Sequence, residues 1–199
     1  MQWLSRELAE PEQQRARECG GSVFAEMDKL AAKISAGSEG VLFLPYMAGE
    51  RSPIWNPYAK GVFYGLDFTK TRAHFYRAAM EGVAYSLRHN LEIAAQTGAP
   101  VTQLHAMGGA ANSKLWTQIK SDVTGLPIRS AKSDMATTLG AAMLAGVATG
   151  VYKDYAQAVQ QTVNMERSYV PNEENSSVYE RGFCDYLKLY SQLETLMHG

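Results

Sequence analysis

Three short strand-like runs, over residues 41–44, 103–107 and 127–130, stand between long segments of helical periodicity. Strands separated by helices point to an α/β fold with parallel pairing. Val41-Leu42-Phe43-Leu44 closes on Pro45 and reads as a buried strand. The helical segments carry their own punctuation. An opening helix over residues 2–9 ends or restarts at Pro11. Ser22 can cap a second, in which Val23, Phe24, Met27, Leu30, Ala31 and Ile34 recur at helical spacing. Thr71 can cap a long helix with Phe75, Ala78, Ala79, Gly82, Val83, Leu87 and Leu91 on one face, stopped by Gly98. Asn112 or Ser113 caps the next, carrying Leu115, Trp116, Ile119 and Val123 and ending at Gly125. A short helix over residues 154–165 follows. The last has Phe183, Tyr186, Leu187, Tyr190, Leu193 and Met197 three and four apart. A sheet of three short strands is thin for so many helices, so further strands are expected upstream of this chain.

The bulk properties narrow the field. The 199 residues are 46% hydrophobic and 20% charged, which suits a packed core and argues against disorder. Nineteen basic residues against 20 acidic ones leave a net charge of −1, with no excess to attract nucleic acid or an anionic membrane. Cys19 and Cys184 form no metal pattern or disulfide framework. The first residues lack the apolar core of a signal peptide, so a cytoplasmic location is expected. Residues 135–152 carry no charge, but Gly, Ala and Thr dominate them. That payload is too small for a membrane span and reads as a buried, close-packed helix. His74, His89, His105 and His198 share no metal-like spacing.

Chemistry concentrates at Met107-Gly108-Gly109-Ala110-Ala111-Asn112-Ser113, between a strand and a helix. Glycine lets a ligand approach the backbone closely, and the helix that follows offers free N–H groups. The spacing matches neither the dinucleotide fingerprint nor a Walker loop. Two readings stay open: a turn that holds a flat base or an anion, and a tight strand-to-helix turn with a polar cap. In the loop over residues 48–60, Glu50 and Arg51 are a structural ion pair or a substrate contact, and Trp55 is expected to anchor the loop by packing. Residues 61–65 suggest a brief extended segment. Glu81, mid-helix, is expected to cap a neighbouring backbone or pair with a base, the other reading being catalysis.

Taken together and in order, several segments resemble the C-terminal part of the FGGY carbohydrate kinases, in their xylulokinase-like branch. The resemblance rests on Leu44-Pro45-Tyr46-Met47-Ala48-Gly49-Glu50-Arg51-Ser52-Pro53; on Gly61-Val62-Phe63-Tyr64-Gly65-Leu66 with Arg77-Ala78-Ala79-Met80-Glu81-Gly82; on Gly108-Gly109-Ala110-Ala111-Asn112-Ser113 with Trp116; and on Leu139-Gly140-Ala141-Ala142. It implies an incomplete ribonuclease H-like (actin-like ATPase) C-terminal domain over residues 1–199, with the N-terminal sugar-binding domain absent. By the same likeness, Gly108, Gly109 and Ala110 would press against adenosine, and Asn112 or Ser113 would hydrogen-bond near the base. The helix holding Gly140 and Ala141 would back that turn, and Glu50 and Arg51 would face the interdomain cleft.

The implied ligands are ATP and a sugar, D-xylulose first, with the Mg²⁺ seat, the catalytic Asp and both phosphate loops outside this chain. No catalytic or metal residue is therefore assigned within it, and the chain alone is expected to be inactive. Uncovered strand edges imply a homodimer or other self-association. The alternative is a non-catalytic nucleotide-binding or helical interaction module.

Overall fold

The computed structural model describes residues 1–131 and 136–197. Met135 and His198 lie outside the described residues. Three helices lead the chain: α1 (Gln2–Glu7), α2 (Glu10–Glu18) and α3 (Val23–Ala31). Pro11 sits in the first turn of α2, where a missing N–H costs little. Ser22 caps α3 by accepting from the Phe24 N–H. Strands β1 (Leu42–Pro45) and β2 (Gly61–Tyr64) pair antiparallel, with Phe43 opposite Phe63. Helix α4 (Arg72–Gln96) opens on Thr71, whose N–H donates to His74 Nδ1 at 3.1 Å. Strand β3 (Leu104–Ala106), helix α5 (Lys114–Thr124) and strand β4 (Ile128–Ala131) form a strand–helix–strand unit with β3 parallel to β4. Helices α6 (Ala136–Ala148) and α7 (Tyr155–Thr162) lead to β5 (Met165–Tyr169), antiparallel to β4, and α8 (Ser176–Met197) closes the chain.

The strands divide into two sheets where the sequence suggests one. β1 pairs with the short extended segment β2, while β3, β4 and β5 form a mixed sheet. β5 escapes sequence reasoning because only Met165, Arg167 and Tyr169 turn inward, and charged Glu166 and Arg167 interrupt the apolar signal.

Helix α4 is also more deeply placed than a one-faced pattern implies. From Ala73 to Tyr85 nearly every residue is buried, because α3, α5, α8 and β1 pack around it. Gly82 marks the crossing with β1: a Cβ there would overlap the carbonyl oxygen of Phe43. Tyrosines of α8 fill much of the remaining core. Tyr186 shares a 2.6 Å hydrogen bond with Tyr46, and burial pushes the Tyr46 phenol up to about 12.

The reading of the small-residue stretch as a buried helix is corrected. Helix α6 forms, but most of its described side chains are exposed, Leu144 among them. Gly146 is its buried position, against the Tyr152 ring, and its main packing partner is α7. Among the described residues, no helix is long and apolar enough to cross a membrane.

The polar residues around α4 are organised by Glu81, which is 2% exposed. Its carboxylate accepts from Arg77 Nε at 2.7 Å, Ser38 Oγ at 2.7 Å, Gly37 N at 3.0 Å and Tyr179 OH at 3.1 Å. The structural reading of Glu81 therefore holds. A second buried carboxylate, Glu12, accepts from Arg15 at 2.5 Å, Arg72 at 3.1 Å and Tyr76 OH at 3.0 Å, joining α2 to α4. Removing one member of a buried charged network strands the others, at a cost of about 3–5 kcal/mol. Glu81→Ala is expected to lower unfolding stability by about that amount; a urea midpoint unchanged from the parent would contradict it.

Candidate functional site

The strand-to-helix bend faces an open cleft. β3 ends at Ala106, and Gly108 takes φ 78°, ψ −178°, a combination essentially confined to glycine. A 3₁₀ turn over Gly109–Asn112 follows, and Ser113 caps α5 by accepting from the Trp116 N–H at 3.0 Å. Gly109, Ala110, Asn112 and Ser113 line one wall of a cleft of about 860 Å³. Met1, Gln2 and Trp3 at the start of the chain, Ser22, Phe24, Ala25 and Asp28 at α3, Met80 of α4 and Trp116 of α5 complete the lining.

Local chemistry holds these groups in place. The Trp116 indole donates to the Met80 carbonyl at 3.0 Å, and the Lys120 ammonium lies 4.3 Å from the Trp116 ring centre. A Cβ at Gly109 would meet no heavy atom within 4 Å, so the space beside that backbone is open to a ligand. Ala110 is exposed and Ala111 is buried. Burial raises the Asp28 carboxyl above its ordinary pKa, and a hydrogen bond with Ser113 works against that rise. Among the described residues lining the cleft, no side chain is cationic. Nor does any group of three or more His, Cys, Asp or Glu among the described residues stand ready to hold a metal ion.

The five site residues expected from sequence thus divide into two roles. Gly108 shapes the bend, while Gly109, Ala110, Asn112 and Ser113 border the cleft. Gln2, Trp3, Phe24 and Asp28 were missed, because they reach the cleft from helices some 80 to 110 positions earlier in the chain. Phe24 carries a signal that periodicity misreads: it belongs to the apolar repeat of α3 yet remains 41% exposed.

Other expected contacts are rearranged. Glu50 directs its carboxylate to the N–H groups of Arg51 at 2.7 Å and Ser52 at 3.2 Å, which folds the loop without an ion pair between the two side chains. Asn90 fastens the loop to α4 through both its side-chain amide and carbonyl, bonded to Ser52. Trp55 is 80% exposed, so it does not anchor the loop by packing. Nor does Gly140 give α6 a close approach to the glycine bend: a Cβ there would meet nothing within 4 Å.

Comparison with known proteins identifies the family. The model of the "FGGY family of carbohydrate kinases, C-terminal domain" matches residues 1–149. The chain belongs to the FGGY family of carbohydrate kinases. It is 34% identical to a xylulose kinase of Staphylococcus epidermidis over 87% of this chain and 35% of that protein. A gluconokinase of Bacillus subtilis is 33% identical over 98% of this chain and 38% of its own. The crystal structure of xylulose kinase from Rhodospirillum rubrum superposes with a TM-score of 0.83 at 31% identity, covering all of this chain and 38% of that one. The chain therefore spans little more than a third of these relatives' length. The ribonuclease H-like α/β class stands, in a helix-rich form whose short sheet contains a parallel pair.

Ser113 serves both the turn and the helix, so it is open to a direct check. Ser113→Ala removes the α5 cap and should cost about 1 kcal/mol. Equilibrium denaturation measures this, and a stability equal to the parent's would assign the cap elsewhere.

Proposed function

We propose that this chain supplies the adenosine-binding part of an ATP-dependent sugar kinase, one that transfers the γ-phosphate to a sugar hydroxyl, with D-xylulose as the first candidate. The observation that carries this reading is the cleft itself. One part is glycine-opened backbone, Trp3, Phe24, Met80 and Trp116 supply aromatic and apolar surface, and the described lining holds no Lys, Arg or His side chain to grip a polyphosphate. Such a site suits the nucleoside end of ATP, whose flat base stacks on aromatic and apolar surfaces. The triphosphate would extend out of the cleft toward groups supplied by a longer protein.

Within this reading each residue has a limited task. Gly108 makes the bend, and Gly109 lets adenosine approach the backbone. Ala110 puts a methyl group at that wall. Asn112 and Ser113 present polar groups near the base. ATP brings the transferable phosphoryl group, and Mg²⁺ would neutralise its charge at a seat outside this chain. Phosphoryl transfer depends on positioning and charge neutralisation, so a chain with the nucleoside cleft alone binds without turning over. Xylulose and gluconate kinases both stand among the similar proteins, so the choice of D-xylulose rests on the look of the Gly49-Glu50-Arg51-Ser52-Pro53 loop.

Calorimetric titration with ADP tests the cleft. The parent chain should bind, and Gly109→Val should weaken binding at least about tenfold while shifting stability by no more than roughly 1 kcal/mol. Absence of ADP binding by the parent would end the proposal. A coupled ATP-consumption assay with xylulose should register no turnover by the purified chain; appreciable turnover would place the catalytic groups within it.

A further inference from the structure

The cleft also contains a means of choosing among bases, an inference that rests on the nucleotide reading above. A purine presents two flat faces and a hydrogen-bonding edge. Trp3, Phe24 and Trp116 border the cleft from three different helices and can meet the faces. The edge needs polar partners, and the polar side chains present are not equivalent. Ser22 Oγ already accepts from the Phe24 N–H at 3.2 Å, and Ser113 Oγ from the Trp116 N–H. Gln2 and Asn112 carry amides, which offer a donor or an acceptor by rotation and so suit opposite base edges equally.

Asp28 differs from all of these. It is the one ionisable side chain among the described residues that line the cleft. An ionised carboxylate accepts hydrogen bonds and donates none, and its two oxygens offer about four acceptor positions. Ser113 engages it by a hydrogen bond, and no Lys, Arg or His among the described residues forms an ion pair with it. Capacity for a ligand N–H therefore remains on a side chain that Ser113 holds beside the glycine bend.

We infer that Asp28 selects the base, accepting a hydrogen bond from the exocyclic amine of adenine and opposing bases that carry a carbonyl oxygen there. An oxygen set against the carboxylate would leave both acceptors unpaired in a partly desolvated wall, which is how a polar site rejects a close analogue. Asp28 is then a specificity residue at the nucleoside end, remote from phosphoryl transfer.

Inosine diphosphate exchanges the 6-amino group of ADP for a carbonyl and the N1 acceptor for an N–H donor, so purine riboside diphosphate, which lacks the amine but keeps N1 as an acceptor, is measured beside it and should lose the parent's preference in the same way. Affinities of these nucleotides would be measured by calorimetry for the parent chain, Asp28→Ala and Asp28→Asn. The parent should prefer ADP by about tenfold or more. Asp28→Ala should lose about that factor for ADP and little for the inosine nucleotide, so the ratio approaches one. Asp28→Asn keeps the side-chain shape and adds a donor, and should move the preference further toward the carbonyl base.

An unchanged ratio in Asp28→Ala overturns the inference and leaves the nucleotide cleft standing. A parallel fall for ADP and the inosine nucleotide also overturns it, because it assigns Asp28 to holding the turn through Ser113. Tighter binding of GDP than ADP by the parent would assign the carboxylate to the donor edge of guanine and exclude adenine selection. Failure of the parent to bind any of these nucleotides removes both this inference and the reading it rests on.

Discussion

The buried carboxylate of Glu81 joins segments that local sequence alone would leave apart. It gathers donors from the turn before β1, from its own helix at Arg77 and from Tyr179 on α8. A carboxylate buried this deeply is tolerated only when charge and hydrogen bonds together replace its water. Arg77 supplies the charge and itself receives no water-facing role, since its Nη2 donates to Tyr179 at 2.8 Å. Burial, and then proximity to Glu81, hold the Tyr179 phenol well above its ordinary pKa, so it remains a donor at neutral pH. Once α4 is fixed this way, β1 crosses it at Gly82, and α3 and α5 flank it.

The cleft follows from that flanking. α4 contributes Met80 to the lining, one residue before Glu81, while α3 and the start of α5 contribute further lining residues. The α1–α2 segment is tied to α4 through Tyr76, whose hydroxyl donates to the Leu8 carbonyl and to Glu12. The site thus draws on four helices around a bend whose shape depends on one glycine conformation. Its described side chains include no Lys, Arg or His and one carboxylate, Asp28. Both features suit a base and its sugar better than a chain of phosphates.

Much of the local architecture was legible in the sequence. Caps at Ser22, Thr71 and Ser113, and the left-handed stop at Gly125, fall where residue chemistry places them. The glycine bend was legible too, because few residues other than glycine tolerate its geometry. What could not be read was pairing over long separations. β1 and the β3–β4 pair look alike as short runs, and nothing local tells them to enter different sheets. β5 was hidden by its charged residues, and α6 by its lack of them, since small uncharged residues are equally compatible with a buried or an exposed helix. Half of the cleft was invisible for the same reason: Gln2 and Asp28 become neighbours of Gly109 only through the packing of α1 and α3.

Residues Gly37, Ser38, Glu39 and Gly40 all take positive φ, at 81°, 50°, 50° and 88°. Chirality disfavours such a run by roughly 1–2 kcal/mol for each non-glycine member. A detached peptide of this sequence would thus rarely visit the mirror-handed path. The conformation is borrowed from its surroundings: α4 offers Glu81 to the Gly37 amide and the Ser38 hydroxyl, and His74 to Glu39 at 3.1 Å. The turn's geometry is accordingly held by contacts with α4 rather than by its own local preference. Swapping this stretch for one of better intrinsic propensity would then disturb the entry into β1 even if every contact of the strand itself were preserved.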